Sequence, residues 1–379
     1  MMFDYLVIGA GLIGSAAVRY LSQGSNKVAL IGPDEPADWV NHEGVFASHY
    51  DQGRIARVLS SDRVWAVLAQ RSIAEYRAIE TQSGIPFYVP CGGVQVGLQS
   101  SDRDDFISKT AAVGESLGID FAKLTAVTFS KSCPTLQFPD EYIVLQEDGA
   151  AGYVNPRALV AAQCQIARMQ ETAVISETVT SISKQPNFVT VQIQNGNRVQ
   201  ARKVLIAAGA YSNQLLDSKL DLRRKPRTII LARLSASELA RLQAMPTVIY
   251  HDLDHPELES VYMLPPIQYP DGHYYLKMGG AMRQPAMVET DRALLDWFHA
   301  EGSQREADAL QEVMFSIVPQ LNVEGMSRKA CVVTGTRSKR PFIDIITPNQ
   351  IYVAAGGCGS AAKSSNEIGR LAAELMQHQ

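Results

Sequence analysis

No C-x-x-C pair occurs anywhere in this chain. Its five cysteines, Cys91, Cys133, Cys164, Cys331 and Cys358, are scattered and show no metal-ligand spacing. A disulfide framework and a metal site are therefore not expected, and a reducing compartment, the cytoplasm by default, is. There is no run of roughly 20 apolar residues, so no membrane-spanning helix is expected. The apolar run near the N-terminus is short and leads straight into a glycine turn, which reads as a strand and not as a signal peptide. A net charge of −4 gives no general attraction to nucleic acid or to an acidic membrane surface. Internal repeats and low-complexity segments are also missing. What remains, 379 residues with 46% hydrophobic and 20% charged, suits a globular protein with ample core and room for two domains.

The chain is organised around its first 35 residues. Tyr5-Leu6-Val7-Ile8 enters Gly9-Ala10-Gly11-Leu12-Ile13-Gly14, a helical pattern follows, and Val28-Ala29-Leu30-Ile31 closes the unit. A G-x-G-x-x-G placed between a strand and a helix is a far stronger signal than the motif alone. Gly9 allows a tight turn, Gly11 lets the backbone approach a pyrophosphate, and Gly14 lets helix and strand pack closely. The helix then turns its positive end toward the phosphates. An acid about 20 residues further on usually holds a ribose hydroxyl. Asp34 stands at that distance from Gly14 and Glu35 one step beyond, while Gly32 occupies the place where the acid most often stands.

Beyond Glu35 an irregular stretch ends in Ser48-His49-Tyr50-Asp51-Gln52-Gly53-Arg54-Ile55-Ala56-Arg57, with two arginines spaced to face the same way. Helices are expected over 64–83, 102–117, 156–169, 293–318 and 366–376, the last opened by a Ser364/Glu367 capping box. Strands are expected at 137–146, 173–175, 179–183, 189–193 and 199–201, and the run 204–213 passes from an apolar strand into small residues. Residues 229–280 read mostly as β. Strand 350–355 precedes the turn Gly356-Gly357-Cys358-Gly359. Dinucleotide-type signals thus lie at the start, middle and end, with a predominantly β unit inserted in two pieces.

Several segments together resemble the FAD-dependent amino-acid oxidases of the D-amino-acid oxidase superfamily, nearest the monomeric sarcosine oxidase and N-methyltryptophan oxidase branch. The resemblance implies a mixed α/β fold (α+β in character): a Rossmann-like FAD-binding domain over 1–85, 146–218 and 320–379, with a predominantly antiparallel β substrate domain over 86–145 and 219–319. Arg328 to Thr336 looks like the family's C-x-x-T-x-T segment, which implies a covalent bond from Cys331 to the flavin; Asp344 matches an aspartate thirteen residues on. Tyr274 to Gly279 resembles the strand whose lysine, here Lys277, activates dioxygen, and Tyr262 matches a pocket tyrosine. Gly53 to Arg57 and Gly357 to Lys363 resemble the segments that place Arg54 beside the flavin and clamp a substrate carboxylate between Arg57 and Lys363. Gly9, Gly11, Ile13, Gly14, Asp34, Glu35, Ser48, Val179, Ala208, Gly209, Gly357 and Gly359 are the further expected cofactor contacts. Plainer readings stand beside these: Cys331 as a buried strand cysteine, Lys277 as a solvated edge-strand lysine, Tyr262 as core, the arginines as surface ion pairs.

The chain departs from the family in its pocket. Cys358 stands where many relatives have histidine, and two extra residues separate Gly359 from Lys363. Ala281 stands where sarcosine oxidases have a histidine after the lysine, and Arg337-Ser338-Lys339-Arg340 replaces an acidic pair with histidine. Sarcosine itself is therefore not the expected substrate. The resemblance implies oxidation of a small amino or imino acid, a secondary or cyclic amine, with hydride transfer to flavin N5, and dioxygen as partner giving hydrogen peroxide. A dehydrogenase using a quinone or protein acceptor, a NAD enzyme and a non-catalytic FAD-binding module remain alternatives. Oligomeric state is left open, and a monomer is compatible.

Overall fold

The computed structural model describes residues 2–99 and 105–378. The first of its two large sheets has Met2–Ile8 near its centre. This strand pairs in parallel with Val28–Ile31 on one side and Arg198–Ile206 on the other. Ala173–Ile175 and Ile351–Ala355 continue the parallel order outward. Leu6, Val7, Leu30 and Ile31 are all fully buried, as a parallel strand covered on both faces requires. Helix Leu12–Leu21 packs between Ala361–Gln377 and Pro156–Met169. Gly369 makes that contact close: a Cβ there would meet Ala16 Cβ at 2.6 Å. Buried Arg19 ties the three helices together, donating to Gln163 Oε1 at 2.5 Å and Asn366 Oδ1 at 2.9 Å. The starts of the first and last helices are thereby held side by side.

The second sheet runs Val323–Thr336, Leu222–Leu234, Tyr274–Met282, Leu258–Gln268, Thr247–His251, Gly93–Leu98, Tyr142–Glu147, Ala122–Thr125. Its pairings are antiparallel except that of Thr247–His251 with Gly93–Leu98. Alternation along the strands assigns the two faces. Ile230, Ala232, Leu276, Met278, Val261 and Met263 share a core with residues of helix Gln304–Ile317. Their sequence neighbours turn the other way. There Leu231 and Leu264 meet Ile55 and Tyr153 of a small sheet made by Arg54–Ala56, Gly152–Val154 and Tyr88–Val89.

The mixed fold with an inserted antiparallel sheet is as expected, but several boundaries move. Val323–Thr336 lies in the second sheet, so the expected return to the first unit at 320 is delayed until Phe342–Thr347. The pattern over 293–318 is two helices, Asp291–His299 and Gln304–Ile317, because Glu301 and Gly302 adopt left-handed backbone and Ser303 caps the second. The pattern over 64–83 is likewise divided at Glu75. The last helix starts at Ala361, so Ser364 and Glu367 are not its capping box. Glu367 instead pairs with Arg71 and Arg370, and its N–H donates to Ser72. The expected helix start at Asp102 lies outside the described residues; Phe106–Ser116 is helical.

Candidate active site

A cavity of about 580 Å³ opens where the two sheets meet. One end is made by Gly9, Ala10, Gly11, Leu12 and Ile13, with Ala207, Ala208 and Gly209 beside them at the end of the neighbouring strand. Gly9 has φ +109°, and a Cβ on Gly14 would fall on the Gly9 carbonyl, so neither position accepts a side chain in this turn. Two helix starts border the cavity, at Gly11 and Ser360; neither has a side-chain cap nor an acid in its first turn. Both therefore present unsatisfied N–H groups and a positive dipole end to an occupant.

Charged lining residues are mostly cations: Arg54, Arg57, Arg227, Lys329 and Lys363 against Asp51 and Glu177. Such a cavity favours anionic occupants. Lys363 is buried and donates to the Arg57 carbonyl at 3.2 Å. Burial, reinforced by Arg57, pushes its ammonium pKa well down. Burial also lowers the Arg57 guanidinium to about 10, with Glu147 opposing. Arg57 Nη1 is buried and has no hydrogen-bond partner. His251 lines the cavity stacked on Phe106, with centroids 3.6 Å apart; burial and then Arg57 hold its pKa near 4, so it is neutral at pH 7.

Lys277 is fully buried on a strand flanked by two others, which removes the reading of a solvated edge lysine. It does not itself line the cavity. Its Nζ donates to Asp51 Oδ2 at 2.6 Å and to the Gly53 carbonyl at 2.7 Å. Asp51 also pairs with Arg54 and accepts from Tyr269 OH at 2.9 Å. Desolvation, then the charge of Arg54, pushes the Lys277 pKa well below its ordinary value. Arg54 Nη2 lies 3.8 Å from Cys331 Sγ. Cys331 is half-buried and lines the cavity, with its carbonyl held by Trp297 Nε1 at 3.0 Å.

Ile13, Ser48, Val179, Ala208, Gly209, Tyr262, Gly357 and Gly359 also line this one cavity. Asp34 and Glu35 do not. Asp34 accepts from Ser176, and Glu35 forms a two-pronged pair with Arg157 at 2.6 Å. The Arg337-Ser338-Lys339-Arg340 turn is also elsewhere: Arg337 pairs with Asp221 and Arg340 with Asp62. Asp344 is exposed on the first sheet. Asp51, Arg227 and His251 were not singled out from sequence. Asp51 lies in the same stretch as Arg54 and Arg57, so an acid in that company is a usable signal; Arg227 and His251 carry no local motif.

The sequence profile of the FAD dependent oxidoreductase family, DAO, matches residues 4–375. The chain belongs to that family. This oxidoreductase is 23% identical over 397 aligned positions to monomeric sarcosine oxidase of Bacillus sp. (strain B-0618), covering 98% of the chain and 92% of the relative. It is 25% identical over 218 positions to N-methyl-L-tryptophan oxidase of Salmonella newport (strain SL254), covering 57% and 56%. Among solved structures, NikD, an unusual amino acid oxidase essential for nikkomycin biosynthesis, superposes with a TM-score of 0.78 at 18% identity, covering 100% of this chain and 94% of NikD. Glycine oxidase from Geobacillus kaustophilus gives 0.75 at 17%, covering 100% and 95%. These low-identity likenesses concern the fold. The family's FAD fits the residues present: the glycine turn leaves a cradle that a Cβ would fill, and two uncapped helix starts border one cationic cavity.

Proposed function

We propose that this FAD-dependent oxidoreductase is an oxidase of a small amino or imino acid carrying a secondary or cyclic amine, with dioxygen as acceptor. The observation that carries the reading is the buried Arg57 Nη1 without a partner, in the cavity that also holds Lys363, Cys331 and the glycine turn. A carboxylate satisfies that guanidinium and pairs with Lys363 at once. Arg57 and Lys363 thus fix the acid end, and the apolar walls around Ile229 and Ile249 keep water from the adjacent C–H bond. His251, held neutral, adds no positive charge against an amine. FAD, when bound, supplies the hydride acceptor that dioxygen renews. Gly9 to Gly14 and the Ala361 helix start would hold its phosphates and ring, Arg54 would lie beside it, and Cys331 would tether it covalently. Lys277 acts from behind Asp51 and Arg54. The pairing of Lys277 with Asp51 also favours a second reading, a dehydrogenase with another acceptor, because a neutralised ammonium stabilises developing negative charge less.

The test is an anaerobic titration of the purified yellow protein with N-alkyl and cyclic amino acids. Bleaching by members of this panel, followed by recovery in air with peroxide formed, supports the oxidase. Bleaching that only a quinone dye reverses selects the dehydrogenase. No bleaching by any amine rejects both.

A further inference from the structure

Strand register exposes a feature of the cavity floor that the carboxylate clamp does not use. Cys331 faces Arg227, Ala281 faces Ser260, and Ser260 faces His251 across successive strand pairs. Leu222–Leu234 and Tyr274–Met282 are themselves neighbours, with Ile229 facing Gly279, which puts Arg227 beside Ala281. One row of the floor therefore reads Cys331, Arg227, Ala281, Ser260, His251. The row two residues along reads Lys329, Ile229, Gly279, Tyr262, Ile249. Alternation points both rows away from the Gln304–Ile317 helix and into the cavity. Of the ten, all but Gly279 line it.

Arg227 is the anomaly in this floor. Among the described residues its one side-chain hydrogen bond runs from Nη1 to the adjacent Pro226 carbonyl at 3.0 Å, and it forms no salt bridge. It is half-buried and lines the cavity. Lys329 is its diagonal neighbour on the adjacent strand, which makes this end of the floor a two-cation patch. Ala281 beside it is too small to cover the guanidinium. The Arg57 end is distinct: Arg57 acts on His251, three strands from Arg227, or about 14 Å at the backbone. A separation of that order suits a chain of a few carbons between two anionic groups, one at each end of the floor.

The geometry points to Arg227 as the recognition residue for a second acid group on the substrate, which makes the substrate an N-substituted or cyclic amino acid of the dicarboxylic type. This rests on the reading of Arg57 and Lys363 as the anchor of the first carboxylate. Arg227 does not touch the reacting atoms; it sets specificity by leaving a half-buried, cavity-lining guanidinium without its anion whenever the second acid is missing.

Calorimetric binding to the holoprotein tests this without turnover, using glutarate and its monoamide, glutaramate. The wild type should bind glutarate about 10–100-fold more tightly, as one charge-assisted contact dictates. Arg227→Met, and Arg227→Gln as a second variant, should bring that ratio close to one. Arg57→Met should weaken both ligands. Equal wild-type affinities overturn the proposal, and so does a ratio that persists in both Arg227 variants. Loss of FAD and of both ligands alike in those variants overturns it too, since Arg227 would then be holding the flavin. Parallel anaerobic reduction by N-methylglutamate and N-methylglutamine separates the two readings. A glutarate preference with no reduction by any amine leaves this proposal standing and rejects the oxidase. Equal reduction by both amines rejects this proposal and keeps the oxidase.

Discussion

Asp51→Asn is the most informative single change, because one carboxylate serves three partners. Asp51 is 5% exposed and receives Lys277 Nζ, Arg54 and Tyr269 OH. Asparagine keeps the shape and can still accept from Tyr269, but it leaves two cations facing each other without an anion. Breaking a buried pair by removing one partner costs about 3–5 kcal/mol. Arg54 retains partial contact with the cavity, at 20% exposure, so the lower end of that range applies. The folded-state pKa of Lys277, already pushed down by burial, then falls further. The sign follows: the folded form binds fewer protons than the unfolded one between the lowered and the ordinary lysine pKa. Stability of the variant should therefore rise as pH is raised through that window. In thermal melts the loss should appear as several degrees, at roughly 2–4 °C per kcal/mol for a sizeable domain. Lys277→Met should cost less, since Arg54 and Tyr269 still hold Asp51. The double variant should be no worse than Asp51→Asn alone, because the stranded ammonium is gone. A loss below about 1 kcal/mol for Asp51→Asn, or simple additivity in the double variant, refutes the account of Asp51 as the counter-ion of Lys277.

Cys331→Ser should release all FAD into the supernatant after acid precipitation, whereas wild-type colour should stay with the pellet; free flavin from the wild type sinks the tether. Arg57→Ala and Lys363→Ala should each lower kcat/KM by about 2–5 kcal/mol, non-additively, and Arg57→Lys should be nearly as damaging because the planar fork is lost. Amines lacking the carboxylate should be poor substrates of the wild type; efficient turnover of them argues against the clamp. His49 and His251 are held neutral, with pKa values near 4 against 6.5 in the unfolded chain. The unfolded state thus binds more protons between those values, and stability should fall as pH drops from about 6.5 to 4. His251→Gln should make that fall shallower, and an unchanged slope in pH-dependent melts would count against it.

The sequence by itself determined the nucleotide end. Strand, glycine turn and helix are contiguous, and two of the glycines are demanded by the turn's own geometry: Gly9 by its φ and Gly14 by the Gly9 carbonyl. The alternation of Tyr274 to Gly280 was also local information, and it put Lys277 on the face opposite Leu276 and Met278. Local pattern could not say that this face is sealed, since burial of Lys277 depends on flanking strands more than ten residues away and on Asp51, 226 residues away. Helix ends are where local signals compete with packing. Ser364 and Glu367 have capping spacing, but packing against Ser72 and Arg71 uses Glu367 inside the helix. The partners of Asp34 and Glu35 are equally invisible in spacing: both have the right separation from Gly14, and tertiary contacts add Ser176 to Asp34 and Arg157 to Glu35. Only the tertiary structure decided the substrate floor. Arg227, Ser260 and His251 lie on three separate strands and become one row through register, which is set by pairing across the sheet and leaves no trace in the spacing of residues along the chain.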